Sequence, residues 1–200
     1  TYSVKAVAEP VPGERDTDDN TLDRGYLWLY LLDLAVTNIT PSMTSAYVGD
    51  TIYFDITVEN QGNVDAYADL FLHYANQLIG QQSILLLSGE VGSFLIPWDT
   101  TNLAPDNYWP WAEVVPIVGG IDELDTFDNT LVSDMIQVKI PGDVNGDGTV
   151  NDQDVVKLCQ AYGSTQGGAN WNAEADINRD RVVDTIDLML VGKNYGKTAY

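Results

Sequence analysis

The clearest chemical signal in the chain is a series of oxygen-bearing side chains at regular intervals near the carboxy terminus. Residues 143–154 read Asp-Val-Asn-Gly-Asp-Gly-Thr-Val-Asn-Asp-Gln-Asp. With Asp143 as position 1, side-chain oxygens stand at positions 1, 3, 5, 9 and 12, and Gly148 stands at position 6. In a tightly coiled loop this spacing, with the carbonyl of Thr149 at position 7, converges on one hard cation such as Ca²⁺. Asp154 stands where Glu is usual at position 12, which shortens the reach of the last ligand.

The same arrangement returns 33 residues later, at residues 176–187. Two loops in register are far less expected by chance than one. Each loop is followed by apolar residues at helical spacing and then by Gly163 or Gly196, and a glycine just after the last turn is typical of a helix C-cap. The apolar positions are Val155, Leu158 and Tyr162 in the first repeat and Leu188, Val191 and Tyr195 in the second. No helix long enough precedes either loop, so each unit is half of an EF-hand.

This duplicated pattern resembles the dockerin domains over residues 142–200. The resemblance implies a small all-α module, two Ca²⁺ ions, an antiparallel helix pair and tight binding to a cohesin module of another polypeptide. Carried over by position, the implied ligands are Asp143, Asn145, Asp147, Thr149 (backbone), Asn151 and Asp154, then Asp176, Asn178, Asp180, Val182 (backbone), Asp184 and Asp187. The side chains at position 9 of each loop can act through water.

The resemblance also implies partner-binding residues at loop positions 10 and 11 and on the following helix. These are Asp152, Gln153, Cys159 and Gln160 in the first repeat, and Thr185, Ile186, Gly192 and Lys193 in the second. Because the halves differ, we expect one preferred face, the one that carries Ile186 and Lys193. The second loop also departs from the family, since Arg179 and Arg181 place positive charge beside the ion. Arg181 moreover occupies a position that usually needs the left-handed backbone of glycine.

Composition excludes several other function classes. The 200 residues are 44% hydrophobic, enough for a real core, and carry 30 acidic against 9 basic residues, a formal charge of −21. Such a chain is repelled by nucleic acid and by anionic membrane surfaces. No apolar run approaches the length of a membrane helix. With one histidine, His73, and one cysteine, Cys159, two-His zinc motifs and internal disulfides cannot form. No recognisable hydrolase motif is present, and we expect no enzymatic activity.

From Asp33 to Ile140 the apolar pattern has a period of two and is interrupted by turn residues every 8 to 14 positions. We predict seven strands, at about 33–40, 47–59, 64–75, 78–87, 91–98, 107–117 and 130–140. This number of antiparallel strands in about 108 residues is typical of an immunoglobulin-like sandwich. The predicted fold class is therefore a mainly β sandwich followed by a small all-α calcium-binding module.

The middle segment resembles the CARDB family of adhesion-related immunoglobulin-like modules. The resemblance rests on Asp33-Leu-Ala-Val-Thr-Asn-Ile-Thr-Pro41, Val48-Gly-Asp-Thr, Val58-Glu-Asn-Gln-Gly-Asn63, Trp98-Asp-Thr-Thr101 and Glu123-Leu-Asp-Thr-Phe-Asp-Asn129. Such modules occur in tandem in prokaryotic surface and secreted proteins. The resemblance implies a spacer or an adhesive module in a secreted or surface-attached protein.

An internal repeat defines the front of the chain. Residues 14–22 and 123–131 share seven of nine residues at an offset of 109. We therefore predict three parts: residues 1–32 as the last strands of a preceding CARDB-like repeat, residues 33–141 as a complete sandwich, and residues 142–200 as the dockerin-like module. Two apolar strands without their sandwich expose edges that seek pairing, so self-association through residues 1–32 is expected.

Several residues of the sandwich allow two interpretations. Asp122, Glu123, Asp125, Asp128 and Asn129 form either a cation site or an ordinary loop that bonds its own backbone. Trp109 and Trp111 form either core, which we favour, or an exposed pair that stacks on sugar rings. We expect His73 on the surface and Cys159 buried. The alternative function of the whole is thus a calcium-stabilised adhesin or carbohydrate-binding module without a cohesin partner.

Overall fold

The computed structural model describes residues 2–117 and 122–199, which form twelve strands and two α-helices. The strands are β1 (Tyr2–Val7), β2 (Thr21–Leu27), β3 (Leu34–Pro41), β4 (Ser45–Tyr47), β5 (Thr51–Asn60), β6 (Ala66–Tyr74), β7 (Gln77–Leu86), β8 (Val91–Asp99), β9 (Asp106–Tyr108), β10 (Pro110–Pro116), β11 (Thr130–Val132) and β12 (Ile136–Lys139). The helices are α1 (Asp152–Ala161) and α2 (Thr185–Asn194), and a 3₁₀ turn spans Asp18–Asn20. Neither helix is long and apolar enough to cross a membrane.

Strands β3 to β12 form the predicted sandwich. One layer has the order β3-β5-β8, and the other has the order β11-β10-β6-β7 and continues along the chain into β4-β12-β9. All pairings are antiparallel except that of β12 with β4. The predicted strands are confirmed, with three of them divided. One division falls at Gly49, whose φ of 101° needs no side chain, and another falls before Pro110, which cannot donate a ladder hydrogen bond.

The period of two in the sequence corresponds to the inner and outer faces of the sheets. Ile52, Phe54, Ile56 and Val58 of β5 are all fully buried, while the alternate residues Thr51, Tyr53 and Asp55 are exposed. Leu70 and Leu72 of β6 face them from the other layer. Alternate residues therefore supply one continuous apolar core between the two layers.

The carboxy-terminal module has its own core. Val150, Leu158, Ala175, Val183 and Val191 are buried together beneath α1 and α2. Each helix begins at a capping box, formed by Asn151 with Asp154 at α1 and by Asp184 with Asp187 at α2. After each helix a glycine adopts a positive φ, 79° at Gly163 and 81° at Gly196, as the sequence predicts.

The two cores are joined by a very short connection. Strand β12 ends at Lys139, and only Ile140, Pro141 and Gly142 precede the first acidic loop. Tyr47 is the last residue of β4 and Ile140 follows β12, yet both side chains are buried in the core of the carboxy-terminal module. Gly142 has a φ of 103°, and a Cβ placed on it would lie 3.0 Å from the Cα of Val191. This close approach requires glycine, and it packs the connection directly against α2.

The front of the chain forms an isolated hairpin of β1 and β2. Its large apolar side chains are exposed, among them Tyr26 at 73% and Tyr2 at 61%. In the hairpin, Val7 pairs with Thr21. At the repeat offset of 109 these two residues correspond to Pro116 and Thr130. In the sandwich, however, Thr130 pairs with Glu113, three residues before Pro116. The register of the sandwich is thus not reproduced in the hairpin, because a register is weakly specified when neither face is buried.

The aromatic residues of β10 differ from expectation. Trp109 is 57% exposed, so the prediction that it joins the core is wrong. Trp111 is half-buried and stacks on His73 with ring centroids 4.5 Å apart. The His73 Nε2 lies 3.8 Å from Glu113 Oε2, so this histidine is not the plain surface residue that was expected. The partial burial of His73 and Trp111 arises because β6 and β10 pair side by side and bring the two rings together, which sequence alternation does not reveal.

The acidic segment before β11 closes the sandwich. Glu123 accepts hydrogen bonds from the Leu34 N–H (2.8 Å) and from the Asn129 side-chain amide (2.7 Å), while Asp125 accepts from the Phe127 N–H (2.8 Å). Burial and the neighbouring Asp125 raise the pKa of Asp128. Within the described residues 122–129 these contacts favour the loop-forming interpretation over a cation site.

Candidate calcium loops and docking surface

The first acidic loop is coiled around two carboxylates. Asp143 accepts hydrogen bonds from the backbone N–H groups of Gly146, Asp147 and Gly148 at 2.9–3.1 Å. Asp154, at the start of α1, reaches back to the N–H groups of Asn145 (2.9 Å) and Asn151 (2.8 Å). The first and the twelfth position thus close the loop from both ends, as the spacing in the sequence predicts.

The second loop repeats these bonds at an offset of 33 residues. Asp176 accepts from the N–H groups of Asp180 (3.1 Å) and Arg181 (2.9 Å). Asp187 accepts from Ile177 (2.8 Å), Asn178 (3.2 Å) and Asp184 (2.9 Å). The side chains at position 9, Asn151 and Asp184, are used as helix caps, which is compatible with an indirect contact to an ion.

The carboxylates at positions 1 and 12 of both loops are buried. Asp154 and Asp187 are fully buried, and Asp143 and Asp176 are 6% and 5% exposed. None of the ion pairs among the described residues reaches these four groups. A buried carboxylate without a cation is costly, so the arrangement calls for a positive charge from outside the chain.

The donor set fits a hard cation. In residues 2–117 and 122–199 no three Asp, Glu, His or Cys side chains gather as a metal site by themselves. In these loops, however, the amide oxygens of Asn145 and Asn178 and the carbonyls of Thr149 and Val182 stand at the intervening ligand positions. Carboxylate, amide and carbonyl oxygens together are the donors that Ca²⁺ prefers.

The two repeats are interlocked by backbone hydrogen bonds. The exit of the first loop pairs with the segment after α2, through Val150 N–H to Lys197 O (2.9 Å) and Ala199 N–H to Gly148 O (2.7 Å). The exit of the second loop pairs with the segment after α1, through Val183 N–H to Ser164 O (3.0 Å). Each loop is therefore supported by the segment that follows the helix of the other repeat, so the two form one structural unit.

Backbone strain distinguishes the second loop. Arg181 has a φ of 74° where Gly148 has 83°, which confirms that an arginine occupies the left-handed position. Arg179 also has a positive φ, 61°, at the equivalent of Gly146 (76°). A residue with a Cβ is disfavoured there by about 1–2 kcal/mol. The Arg179 guanidinium points away from the loop and pairs with Asp50 of the sandwich at 3.0 Å, a contact that sequence reasoning did not find.

The predicted partner-binding residues all lie on the surface of the module, including Cys159, whose predicted burial is wrong. The two helix starts are linked to the opposite helix ends. The Tyr195 hydroxyl hydrogen-bonds to Asp152, and the Tyr162 hydroxyl lies 2.8 Å from that of Thr185. The bond to Asp152 raises the pKa of Tyr195. Each potential docking face thus combines the start of one helix with the tyrosine that follows the other.

Sequence reasoning missed two exposed apolar residues, one on each helix. Met189 of α2 is 68% exposed, and its repeat equivalent in α1, Val156, is 56% exposed. Their spacing of three from Ile186 and Gln153 could have revealed them. Lys193 follows Met189 by one helical turn on the same face of α2, and it also lines a cleft of about 590 Å³ between the module and the sandwich, which Leu103 and Pro105 line from the sandwich side.

Comparisons with known proteins agree with this geometry. Residues 141–195 match the dockerin type I domain family. Over 58 residues the chain is 36% identical to cellulosomal-scaffolding protein B and to cellulosomal-scaffolding protein A of Acetivibrio thermocellus. That alignment covers 29% of this chain but only 8% and 3% of the two relatives.

The β region has counterparts among solved structures. A CARDB domain from Pyrococcus furiosus aligns with a TM-score of 0.46 and 16% identity, and the alignment covers 57% of this chain and 99% of that one. The strand pairings given above define the sandwich of this chain independently. The segment that contains both acidic loops and both helices, residues 141–195, is a dockerin type I domain.

Proposed function

We propose that this chain is a noncatalytic docking protein whose dockerin domain binds two Ca²⁺ ions and then a cohesin module of another polypeptide. The observation that carries the proposal is the pair of interlocked loops whose buried carboxylates lack a cationic partner within the described residues. The ligands are those implied by the sequence. The bound ions supply the positive charge that these carboxylates need, and the loops in turn fix the directions of α1 and α2.

The sandwich acts as a spacer that presents this module outside the cell or at its surface. The connection of Ile140, Pro141 and Gly142 is too short for a flexible linker, and the shared core around Tyr47 and Ile140 restricts the angle between the parts. The division into residues 1–32, 33–141 and 142–200 follows the same logic, since the sandwich and the module each have a core and the exposed hairpin belongs to neither. The cellulosomal scaffolding relatives favour an assembly role of this kind.

The face that begins with α2 is the better candidate for cohesin binding. It presents Ile186 (50% exposed) and Met189 (68%) beside Tyr162, whereas the equivalent face presents Gln153 and Val156 beside Tyr195. A protein interface depends on a few large apolar or aromatic anchors near its centre. The face at the start of α2 offers one more such anchor than the face at the start of α1, because Ile186 stands where the first repeat has Gln153.

The repeat provides its own matched controls for testing this face. We expect Ile186→Asp to weaken calcium-dependent capture by a cohesin panel by about tenfold or more, because a charge is placed among the anchors. The control Gln153→Asp introduces the same side chain at the equivalent position and should change the affinity less than about threefold. Dissociation constants from calorimetry with the best-captured cohesin give the comparison.

Equal losses in the two variants would contradict the choice of face, and a greater loss in Gln153→Asp would reverse it. If no cohesin is captured and the chain is instead retained on polysaccharide, the alternative function as a calcium-stabilised adhesin or carbohydrate-binding module is correct. The cavity of about 480 Å³ lined by Tyr74, Tyr108, Trp109 and Trp111 favours that alternative.

The exposed hairpin of β1 and β2 supports a further proposal, that copies of this chain associate through residues 1–32. We expect the mass from sedimentation to rise with concentration, and Tyr26→Lys to reduce this rise because it charges the apolar face. Tyr67→Lys, at a 59% exposed tyrosine of the sandwich, is the control. A monomeric mass at all concentrations contradicts association.

A further inference from the structure

The second calcium loop differs from the first in having no glycine at its two left-handed positions. Arg179 and Arg181 stand where the first loop has Gly146 and Gly148, and all four residues have a positive φ. A Cβ on Gly146 would meet no atom within 4 Å, so the first loop makes no close contact there. The second loop must therefore hold a strained backbone that the first loop adopts freely.

Arg179 is held by the sandwich. Its Nη1 lies 3.0 Å from Asp50 Oδ2, its guanidinium carbon lies 4.9 Å from the centre of the Tyr47 ring, and Nη1 lies 3.9 Å from the sulfur of Met43. An ion pair and a cation–π contact on one side chain favour the conformation of the backbone that carries it.

The residues that receive Arg179 are themselves well fixed. Asp50 Oδ2 also accepts the Tyr47 N–H at 2.7 Å and so closes the turn between β4 and β5. Tyr47 is 8% exposed, and burial, followed by the charge of Glu174, raises its pKa to about 12. A second ion pair, Lys139 with Glu174 at 3.1 Å, joins the sandwich to the segment just before the loop.

From these contacts we propose that Asp50 and Tyr47 are positioning residues for the second calcium loop. By holding Arg179 they stabilise the strained backbone and keep its positive charge turned away from the ion. The affinity of the second loop for Ca²⁺ then depends on these two residues of the sandwich, while that of the first loop does not. This inference rests on the proposed calcium binding and assigns the sandwich a part in it.

The test is a Ca²⁺ titration of the full chain followed by amide NMR. The Gly148 and Arg181 N–H groups donate to the position-1 carboxylates and report on the two loops separately. We expect Asp50→Asn, which keeps an acceptor for the Tyr47 N–H, to weaken the second site by about three- to tenfold and to leave the first unchanged. Asp134→Asn, at an exposed position, removes the same charge elsewhere and should affect neither site.

A double variant separates positioning from general damage. In Asp50→Asn/Arg179→Gly the glycine adopts the left-handed backbone without strain and removes the charge, so the affinity of the second site should return to the wild-type value or exceed it. An unchanged second site in Asp50→Asn, an equal loss at both sites, or a failure of the double variant to recover overturns the inference. If neither loop of the wild-type chain binds Ca²⁺, the proposed function fails as well.

Discussion

Removal of calcium will unfold the dockerin domain and leave the sandwich folded. The module has only a small core, formed by Val150, Leu158, Val183, Val191 and a few neighbours. Without ions, the buried carboxylates of both loops repel one another and lack any compensating charge. Binding of an ion that is absent from the unfolded state contributes about 4 kcal/mol at a thousand times its dissociation constant. Two such ions are comparable with the whole stability of a domain of this size.

Circular dichroism with excess chelator checks this expectation. The α-helices of the described residues are α1 and α2, so the helical signal in the far ultraviolet reports on the dockerin domain. The β signal reports on the sandwich. Readdition of Ca²⁺, with Mg²⁺ at the same concentration as the control, should restore the helices selectively, since Mg²⁺ requires a tighter octahedral shell. A helical signal that chelator does not change would contradict both the expectation and the proposed role of the ions.

The second large effect is expected from the residue that closes each loop. Replacement of Asp187 by Ala leaves the N–H groups of Ile177, Asn178 and Asp184 without their acceptor. The bond from Ile177 is buried and the other two are part-buried. Because a buried donor that loses its partner costs about 1–3 kcal/mol and a part-buried one costs less, we expect a loss of about 3 kcal/mol in the free energy of unfolding. The loss of a ligand adds to this when Ca²⁺ is present.

Urea unfolding of the dockerin domain, followed by helical circular dichroism, measures this loss. The variant Asp154→Ala should behave similarly but more mildly, because Asp154 accepts two such bonds and Asp187 accepts three. Gln160→Ala, at an exposed position of α1, serves as the control and should change stability by less than about 0.5 kcal/mol. A stability of Asp187→Ala within that margin would show that the buried carboxylate is not a structural centre of the loop.

The sequence predicted most of the architecture because its signals are local. The strands follow from alternation such as that of residues 51–58, and the loops follow from short-range spacing repeated at 33 residues. The helix ends follow from Gly163 and Gly196. Each of these signals is contained within one element and its turns.

The features that the sequence did not predict join residues far apart in the chain. The contact of Arg179 with Asp50 spans more than a hundred positions and depends on the angle between the two modules. The stack of His73 on Trp111 depends on the pairing of β6 with β10, and alternation alone predicts only which face a residue takes. The hairpin register is unpredictable for another reason, since no buried face selects one register over its neighbours.

The hydrogen bonds of residues 148–150 with residues 197–199 have a mechanical consequence. They fasten the exit of the first loop, just before α1, to the segment that follows α2. A pulling force applied along β12 therefore acts on the first loop and on these hydrogen bonds before it acts on either helix. Neither helix can unfold from its end without breaking these hydrogen bonds, so we expect the domain to unfold under force in a single step.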